Sequence, residues 1–181
     1  MKHFIFAATA TAFLFSPAFA APGERAIPVK AMDEVLYVPA NSPLHFRDFG
    51  DESAAEFDGA VELSGTWYFG GTPDDPDAGP ALEFVPDSAS LARLPRYKTR
   101  GQPGDIFITN PGDFVHAVLS PADQAKADKK GAKYLSGKID IWVDQFEAGV
   151  ECDAPFFNAH FLRVARPPMR VALKDMPDEG C

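Results

Sequence analysis

Two aromatic residues stand in predicted strands at positions where polar side chains are expected. Tyr68 and Trp142 both fall on the side of their strand that is opposite to the main apolar stripe. Small β-barrels bind ligands across an open face, and exposed aromatic rings supply much of the contact there. We therefore predict that Tyr68 and Trp142 are ligand-binding residues. The alternative interpretation is that a loop or the C-terminal tail covers both rings.

Three side chains could serve as an acid or a base in catalysis, namely Asp140, Asp144 and His160. The two aspartates lie four residues apart on one face of a predicted strand, which separates them by about 13 Å. This distance exceeds the carboxylate spacing of glycosidases. The chain contains no Gly-x-Ser-x-Gly motif, no His-Glu-x-x-His motif and no glycine-rich phosphate loop. We predict no catalytic residue and no cofactor, and our second hypothesis is a hydrolase of envelope polymers that uses one of these three residues.

Asp74, Asp75 and Asp77 could supply carboxylate oxygens to a calcium ion. They lie in a loop rich in glycine and proline and lack the ligand spacing of an EF-hand. The histidines are too scattered along the chain to indicate a metal site. We therefore predict a solvated turn and no metal, and a calcium-stabilised structural module is our third hypothesis.

The cysteines of the chain are Cys152 and Cys181. An even number of cysteines in an exported protein favours a disulfide, because the compartments outside the cytoplasm are oxidising. Their spacing is not that of a redox-active Cys-x-x-Cys motif. We predict a structural Cys152–Cys181 disulfide, which would tie the C-terminus to the domain and contribute roughly 3 to 4 kcal/mol to stability.

Residues 1–20 have the three parts of a secretory signal peptide. Lys2 supplies a positive charge, residues 4–15 are apolar, and the small residues before Ala21 fit cleavage after Ala20. The apolar run is shorter than the roughly 20 residues that span a bilayer. We predict that the mature protein is periplasmic or secreted and is not inserted in a membrane after cleavage.

The mature chain is predicted to consist of a flexible leader at 21–33 and one domain at 34–181, a length that suits a single core. The whole chain has 26 acidic and 17 basic residues, which gives a formal net charge of −9. An acidic surface repels phosphate groups, so we predict no nucleic-acid partner. A protein, peptide or glycan outside the cytoplasm is the partner that we expect.

Alternation of apolar and polar residues predicts strands at 61–69 and 135–144. Gly65 interrupts the first of these and suggests a bulge or a sharp bend. Shorter strands are predicted at 81–85, 106–108 and 156–164, and the last of these is expected to be covered on both faces. A further short strand is predicted at 35–38, and residues 41–55 are predicted to be mostly loop. A helix is predicted to start at Ser120 and Pro121. Five main strands with one helix between the third and fourth predict a mainly β fold, a small OB-like five-stranded Greek-key barrel.

Residues 135–164 resemble the closing strand pair of a family of uncharacterised secreted bacterial proteins with OB-like domains. Gly137-Lys138 precedes an alternating strand, as in that family, and residues 61–69 resemble its opening strand with a central glycine. Histidines often cluster in the last hairpin of the family, whereas this chain has only His160 there. The resemblance implies an exported OB-like domain without an assigned chemistry. The predicted export, the acidic β domain, the two outward aromatic residues and the lack of a nucleophile, base or ligand cluster lead to our first hypothesis. It is an exported, non-enzymatic binding domain for an envelope or extracellular protein, peptide or glycan.

Overall fold

A computed structural model describes residues 23–29, 33–50, 54–71, 80–127, 134–151, 153–166 and 171–174. The strands are β1 (Arg25–Val29), β2 (Glu34–Val38), β3 (His45–Phe49), β4 (Ala55–Asp58), β5 (Val61–Gly71), β6 (Pro80–Pro86), β7 (Arg96–Tyr97), β8 (Ile106–Ile108), β9 (Tyr134–Glu151), β10 (Ala154–Arg166) and β11 (Val171–Lys174). The helices are α1 (Ser88–Leu91), α2 (Pro111–Val118) and α3 (Pro121–Ala127). The predicted signal peptide (1–20), both cysteines of the predicted disulfide (Cys152 and Cys181) and the aspartates Asp74, Asp75 and Asp77 lie outside the described residues.

Five strands close a small barrel in the order β5, β6, β8, β10, β9 and back to β5. β8 and β10 are parallel, and the other neighbours in the barrel are antiparallel. Counted along the chain, the spatial order of the strands is first, second, third, fifth, fourth, which is the Greek-key arrangement of an OB-like barrel. The prediction of a mainly β, OB-like five-stranded barrel is confirmed.

Side-chain alternation along β5 and β9 separates the interior of the barrel from its outer surface. Successive residues of a strand point to opposite faces, so one set of alternate residues fills the core. The buried set is Val61, Leu63, Trp67 and Phe69 on β5 and Ile139, Ile141 and Val143 on β9. Each large apolar side chain buried in this way contributes roughly 1.5 to 3 kcal/mol. The residues between them lie on the outer surface of the barrel.

Gly65 lets β5 and β6 approach each other closely. A Cβ atom at this position would lie 2.3 Å from the carbonyl oxygen of Val85 and 2.8 Å from the ring of Phe84. The pairing of β5 with β9 continues without a shift through Gly65, and the pairing of β5 with β6 begins there. Of the two predicted alternatives, the bulge is therefore wrong and the sharp bend stays a prediction. The glycine is required because a side chain would overlap the neighbouring strand.

Two helices connect β8 with β9, where one was predicted. α3 begins at Pro121 as predicted, and the Ser120 hydroxyl accepts a hydrogen bond from the backbone N–H of Asp123 at 3.2 Å. The second helix, α2, ends at Val118, and Leu119 is its cap residue. Among the described residues, no helix has the length and apolar character needed to cross a membrane.

Phe114 of α2 packs against the aromatic core of the barrel. Its ring centroid lies 5.5 Å from that of Trp67 and 5.3 Å from that of Phe161, both in edge-to-face geometry. The side chain of Asn110, just before α2, accepts a hydrogen bond from Phe161 N at 2.7 Å and donates one to Phe161 O at 2.9 Å. These contacts fix α2 to β10.

β1, β2 and β7 form a second, three-stranded sheet. β1 lies within 21–33, the segment predicted to be a flexible leader. Its residues Ile27 and Val29 are buried, and every residue of the strand pairs with β2. Tyr97 of β7 packs against Phe157 of the barrel with ring centroids 6.0 Å apart. The folded part of the chain therefore includes part of the predicted leader, because two alternate apolar side chains anchor β1.

β9 continues beyond the barrel and carries β4 and β3 on its second half. Gln145 has a φ angle of 46°, and the register between β9 and β10 shifts beside it. The buried face changes at this bulge from odd-numbered residues such as Val143 to even-numbered ones such as Phe146. The prediction of loop at 41–55 is wrong for β3, whose mostly exposed side chains leave no alternation in the sequence.

β10 has an exposed outer side, so the prediction that both of its faces are covered is wrong. Leu162 is 43% exposed and Arg163 is exposed as well. Three register shifts against β9 interrupt the alternation of the strand, so apolar residues occur at both odd and even positions although one side of the strand is exposed.

Candidate binding face

Tyr68 belongs to a row of outward-facing residues that crosses four neighbouring strands. It pairs with Glu83 of β6, Glu83 pairs with Phe107 of β8, and Phe107 pairs with Asn158 of β10. Neighbouring strands are about 4.8 Å apart, so the row spans roughly 14 Å. One side chain that was predicted to bind a ligand thus lies beside Glu83, with a second aromatic ring on the far side of that carboxylate.

Two apolar side chains, one in this row and one beside it, are exposed to solvent. Phe107 is 45% exposed, although Ile106 and Ile108 on either side of it are fully buried. Val85 is two residues from Glu83 on the same face of β6 and is 38% exposed. Contiguous exposed apolar side chains on a small soluble domain often mark a binding site. We call the surface formed by Tyr68, Glu83, Val85, Asp105 and Phe107 the Glu83 face.

Two carboxylates give the Glu83 face its charge. Continued by one residue, the register of β6 with β8 places Asp105 beside Val85, diagonally across from Glu83. Partial burial, together with the repulsion of the Asp105 carboxylate, raises the pKa of Glu83. No ion pair to Glu83 or Asp105 is found within the described parts of the chain. A positive charge or a hydrogen-bond donor from outside would relieve this repulsion.

A groove of about 560 Å³ adjoins the Glu83 face at Val85. Its polar walls are supplied by Ser64, Thr66, Lys138, Asp140 and Arg166, which project from β5, β9 and β10. Arg166 Nε lies 3.3 Å from Asp140 Oδ2, so one of the two cations is already matched by an anion. The groove has mixed charge, in contrast to the acidic Glu83 face next to it.

Trp142, the other predicted ligand-binding residue, lies elsewhere on the barrel. Trp142 pairs with Glu62 of β5, whereas Tyr68 pairs with Ser136 of β9. The two pairs are offset by six positions, which corresponds to about 20 Å along the strands. The Trp142 ring is partly exposed, and the Arg163 guanidinium lies 5.1 Å from its centroid. The structure therefore does not bring Tyr68 and Trp142 into one site.

The residues considered for catalysis line the same hairpin as Trp142. His160 Nδ1 lies 3.0 Å from Asp144 Oδ1, and Asp140 is paired with Arg166. The outer face of the β9–β10 hairpin thus holds three successive cross-strand pairs. His160 and the Asp144 carboxylate that orients it correspond to the base and the acidic residue of a nucleophile-activating triad, whose third member is the nucleophile. No group of three or more potential metal ligands is found in the described part of the chain.

No protein-family model matches the chain, and no curated protein or solved structure shows detectable similarity to it. The resemblance of residues 135–164 to a family of secreted bacterial proteins therefore stays a prediction.

Val85, Glu83, Asp105 and Phe107 were not predicted to be functional residues. A signal for Phe107 is present in the sequence, because the middle residue of the three-residue strand 106–108 must face away from its two neighbours. The alternation along 81–85 likewise places Glu83 and Val85 together, opposite Leu82 and Phe84. That these two strands are adjacent and in register with Tyr68 follows only from the tertiary pairing.

Proposed function

We propose that this chain is an exported, non-enzymatic binding domain that holds an envelope or extracellular protein, peptide or glycan against the Glu83 face. The observation that carries the proposal is that Phe107 is 45% exposed although it lies in the middle of a barrel strand. Phe107 pairs with Glu83 on one neighbouring strand, and Glu83 in turn pairs with Tyr68 on the next. An exposed phenylalanine gains roughly 25 cal/mol for each Å² that a partner covers.

The position of the face on the barrel supports the same function. β6 and β8 are the second and third strands of the barrel, and OB-like barrels commonly bind their ligands across these two strands. A fold does not determine a function by itself, but the exposed side chains of this face and their charge also suit a binding site. The acidic surface favours a partner other than nucleic acid.

Affinity capture from envelope extract and culture medium tests this proposal. We expect Phe107→Ala and Tyr68→Ala to lose the partners that the unaltered protein retains. Phe49→Ala is the matched control, because Phe49 is 36% exposed on β3, outside the Glu83 face. If Phe107→Ala and Tyr68→Ala retain every captured partner, the Glu83 face is not the binding site. Trp142→Ala in the same assay tests the other predicted aromatic residue.

Export is part of the proposal and has its own test. Cell fractionation, with mass spectrometry of the mature N-terminus, should find the protein outside the cytoplasm and beginning at Ala21. A full-length chain in the cytoplasm would contradict this part of the proposal and leave the binding face to be judged by capture alone.

A hydrolase of envelope polymers is the second candidate, favoured by the His160–Asp144 contact of 3.0 Å. A histidine held by a carboxylate can act as a general base. Hydrolysis of cell-wall or ester substrates that is lost in His160→Gln and Asp144→Asn, and kept in Asp140→Asn, would support this function. A lack of turnover by the unaltered protein on a broad substrate panel would exclude it.

A further inference from the structure

We propose that the occupant of the Glu83 face is an extended segment of a partner protein with lysine or arginine at alternate positions. This inference rests on the proposed function and narrows its partner to one chemical class. Its basis is the diagonal placement of Glu83 and Asp105 on adjacent strands, with Tyr68, Val85 and Phe107 around them.

The spacing of the two carboxylates matches an extended chain. Diagonal neighbours on adjacent antiparallel strands lie about 7 to 8 Å apart. Alternate residues of an extended peptide lie about 6.7 Å apart and point the same way. Two basic side chains at positions i and i+2 can therefore reach Glu83 and Asp105 together, whereas basic residues three apart would point to opposite sides of an extended peptide.

Carboxylates elsewhere on the barrel and on β4 contact basic side chains, whereas those of the Glu83 face do not within the part of the chain that the structure describes. Asp140 and Asp144 of β9 each contact a basic side chain of β10, and Glu56 and Asp58 of β4 share Arg47. Glu83 and Asp105 have no such partner in the described ranges and repel each other. Glu83 and Asp105 are therefore carboxylates to which a basic segment can supply a positive charge that the described residues do not.

The apolar members of the face suit the stems of basic side chains. Lysine and arginine place their methylene groups along apolar surface while the charged end stays hydrated. Phe107 and Val85 offer this surface beside the carboxylates, and the faces of Tyr68 and Phe107 can also attract a cation. A neutral glycan would use the rings and leave the repulsion between the two carboxylates in place.

Isothermal titration of the full exported chain tests this inference with three capped peptides of equal length. The first, the alternating lysine peptide, has two lysines at positions i and i+2 in a run of threonines. The second has glutamine in place of both lysines, and the third has the same composition as the first with its two lysines three residues apart. The protein variants are the double variant Glu83→Gln/Asp105→Asn and the control Glu62→Gln. Glu62 is an outward carboxylate of β5 in the register row of Trp142, remote from Tyr68.

We expect the alternating lysine peptide to bind and the other two peptides to bind at least about tenfold more weakly. The double variant should lose about tenfold in affinity for the lysine peptide, Glu62→Gln should bind like the unaltered protein, and added salt should weaken binding. Thermal melts of all variants establish that they are folded.

The inference is overturned if the lysine peptide does not bind, if the glutamine peptide binds as well, or if the double variant keeps full affinity. Its failure can be separated from that of the proposed function. Capture that depends on Phe107 but not on Glu83 and Asp105 would retain the binding face and reject the basic partner. Capture that depends on none of these residues would reject both.

Discussion

Tyr68 and Phe107 flank Glu83 from opposite sides, since each pairs in register with it on an adjacent strand of the barrel. Glu83 is an exposed residue of the barrel surface, yet desolvation of its carboxyl and the nearby Asp105 carboxylate raise its pKa. The cost of ionising Glu83 in this setting is the physical basis of the first prediction.

Glu83→Gln should stabilise the protein at neutral pH and have little effect in acid. The pKa of folded Glu83 is raised by burial and by Asp105, so the folded state holds its proton to a higher pH than the unfolded chain does. The contribution of Glu83 to stability is fully present below the unfolded pKa and is lost as the pH rises through the folded pKa. Urea unfolding of the variant and of the unaltered protein at pH 7 and at pH 4 measures the difference. A stability gain that is equal at both pH values would contradict this assignment.

Tyr97→Phe should cost little at neutral pH or stabilise the fold by up to about 1 kcal/mol. The hydroxyl of Tyr97 is fully buried and has no hydrogen-bond partner among the described residues, so its removal ends an uncompensated desolvation. Chemical denaturation of both proteins at pH 7 checks the sign. A loss above about 2 kcal/mol would show that the hydroxyl has a partner, such as a buried water.

The same residue should make the protein sensitive to alkali. Burial and the nearby Glu34 raise the pKa of Tyr97 to about 12, while Arg100 opposes this shift. The stability that depends on neutral Tyr97 is complete below the unfolded pKa of about 10 and is lost as the pH rises toward 12. At pH 11 this effect lowers the free energy of unfolding by about 1.4 kcal/mol, and the Tyr97→Phe variant should not show this decrease. Chemical denaturation of both proteins at several pH values from 9 to 11 measures the effect. A difference in unfolding free energy that stays constant over this range would contradict the prediction.

Gly65→Ala should destabilise the barrel by about 1 to 3 kcal/mol. The added methyl group would overlap the Val85 carbonyl oxygen, which lies 2.3 Å from the Cβ position, and the Phe84 ring. Gly104→Ala is the matched control, because no atom lies within 4 Å of a Cβ at Gly104. Thermal melting should separate the two variants clearly, and equal melting temperatures would mean that β5 and β6 can move apart without cost.

Collisional quenching should distinguish the two tryptophans of the chain. Trp67 is fully buried against Phe114, whereas Trp142 is partly exposed under Arg163. Emission from Trp142→Phe, which retains Trp67, should resist acrylamide, and emission from Trp67→Phe should be quenched. The reverse result, or equal quenching of both variants, would place Trp142 under other parts of the chain.

Local periodicity predicted most of the barrel but not its extensions. Strands β5, β6, β8, β9 and β10 each carry enough alternating or continuous apolar residues to be recognised. β3 was missed because its side chains are mostly exposed, and β1 because proline and charged residues surround its two buried side chains. Periodicity reports burial, so strands that bury little cannot be detected by it.

For the candidate site, the residues alone determined which side chains face outward, and Tyr68 and Trp142 were both identified in that way. Only the tertiary structure decided which of these side chains are neighbours. The closure of the barrel brings Tyr68 next to Glu83 and Phe107 and leaves Trp142 on another hairpin, covered by Arg163. The reason is that side-chain direction is set by the two-residue repeat of a single strand, whereas proximity depends on strand order and register between segments far apart in the chain.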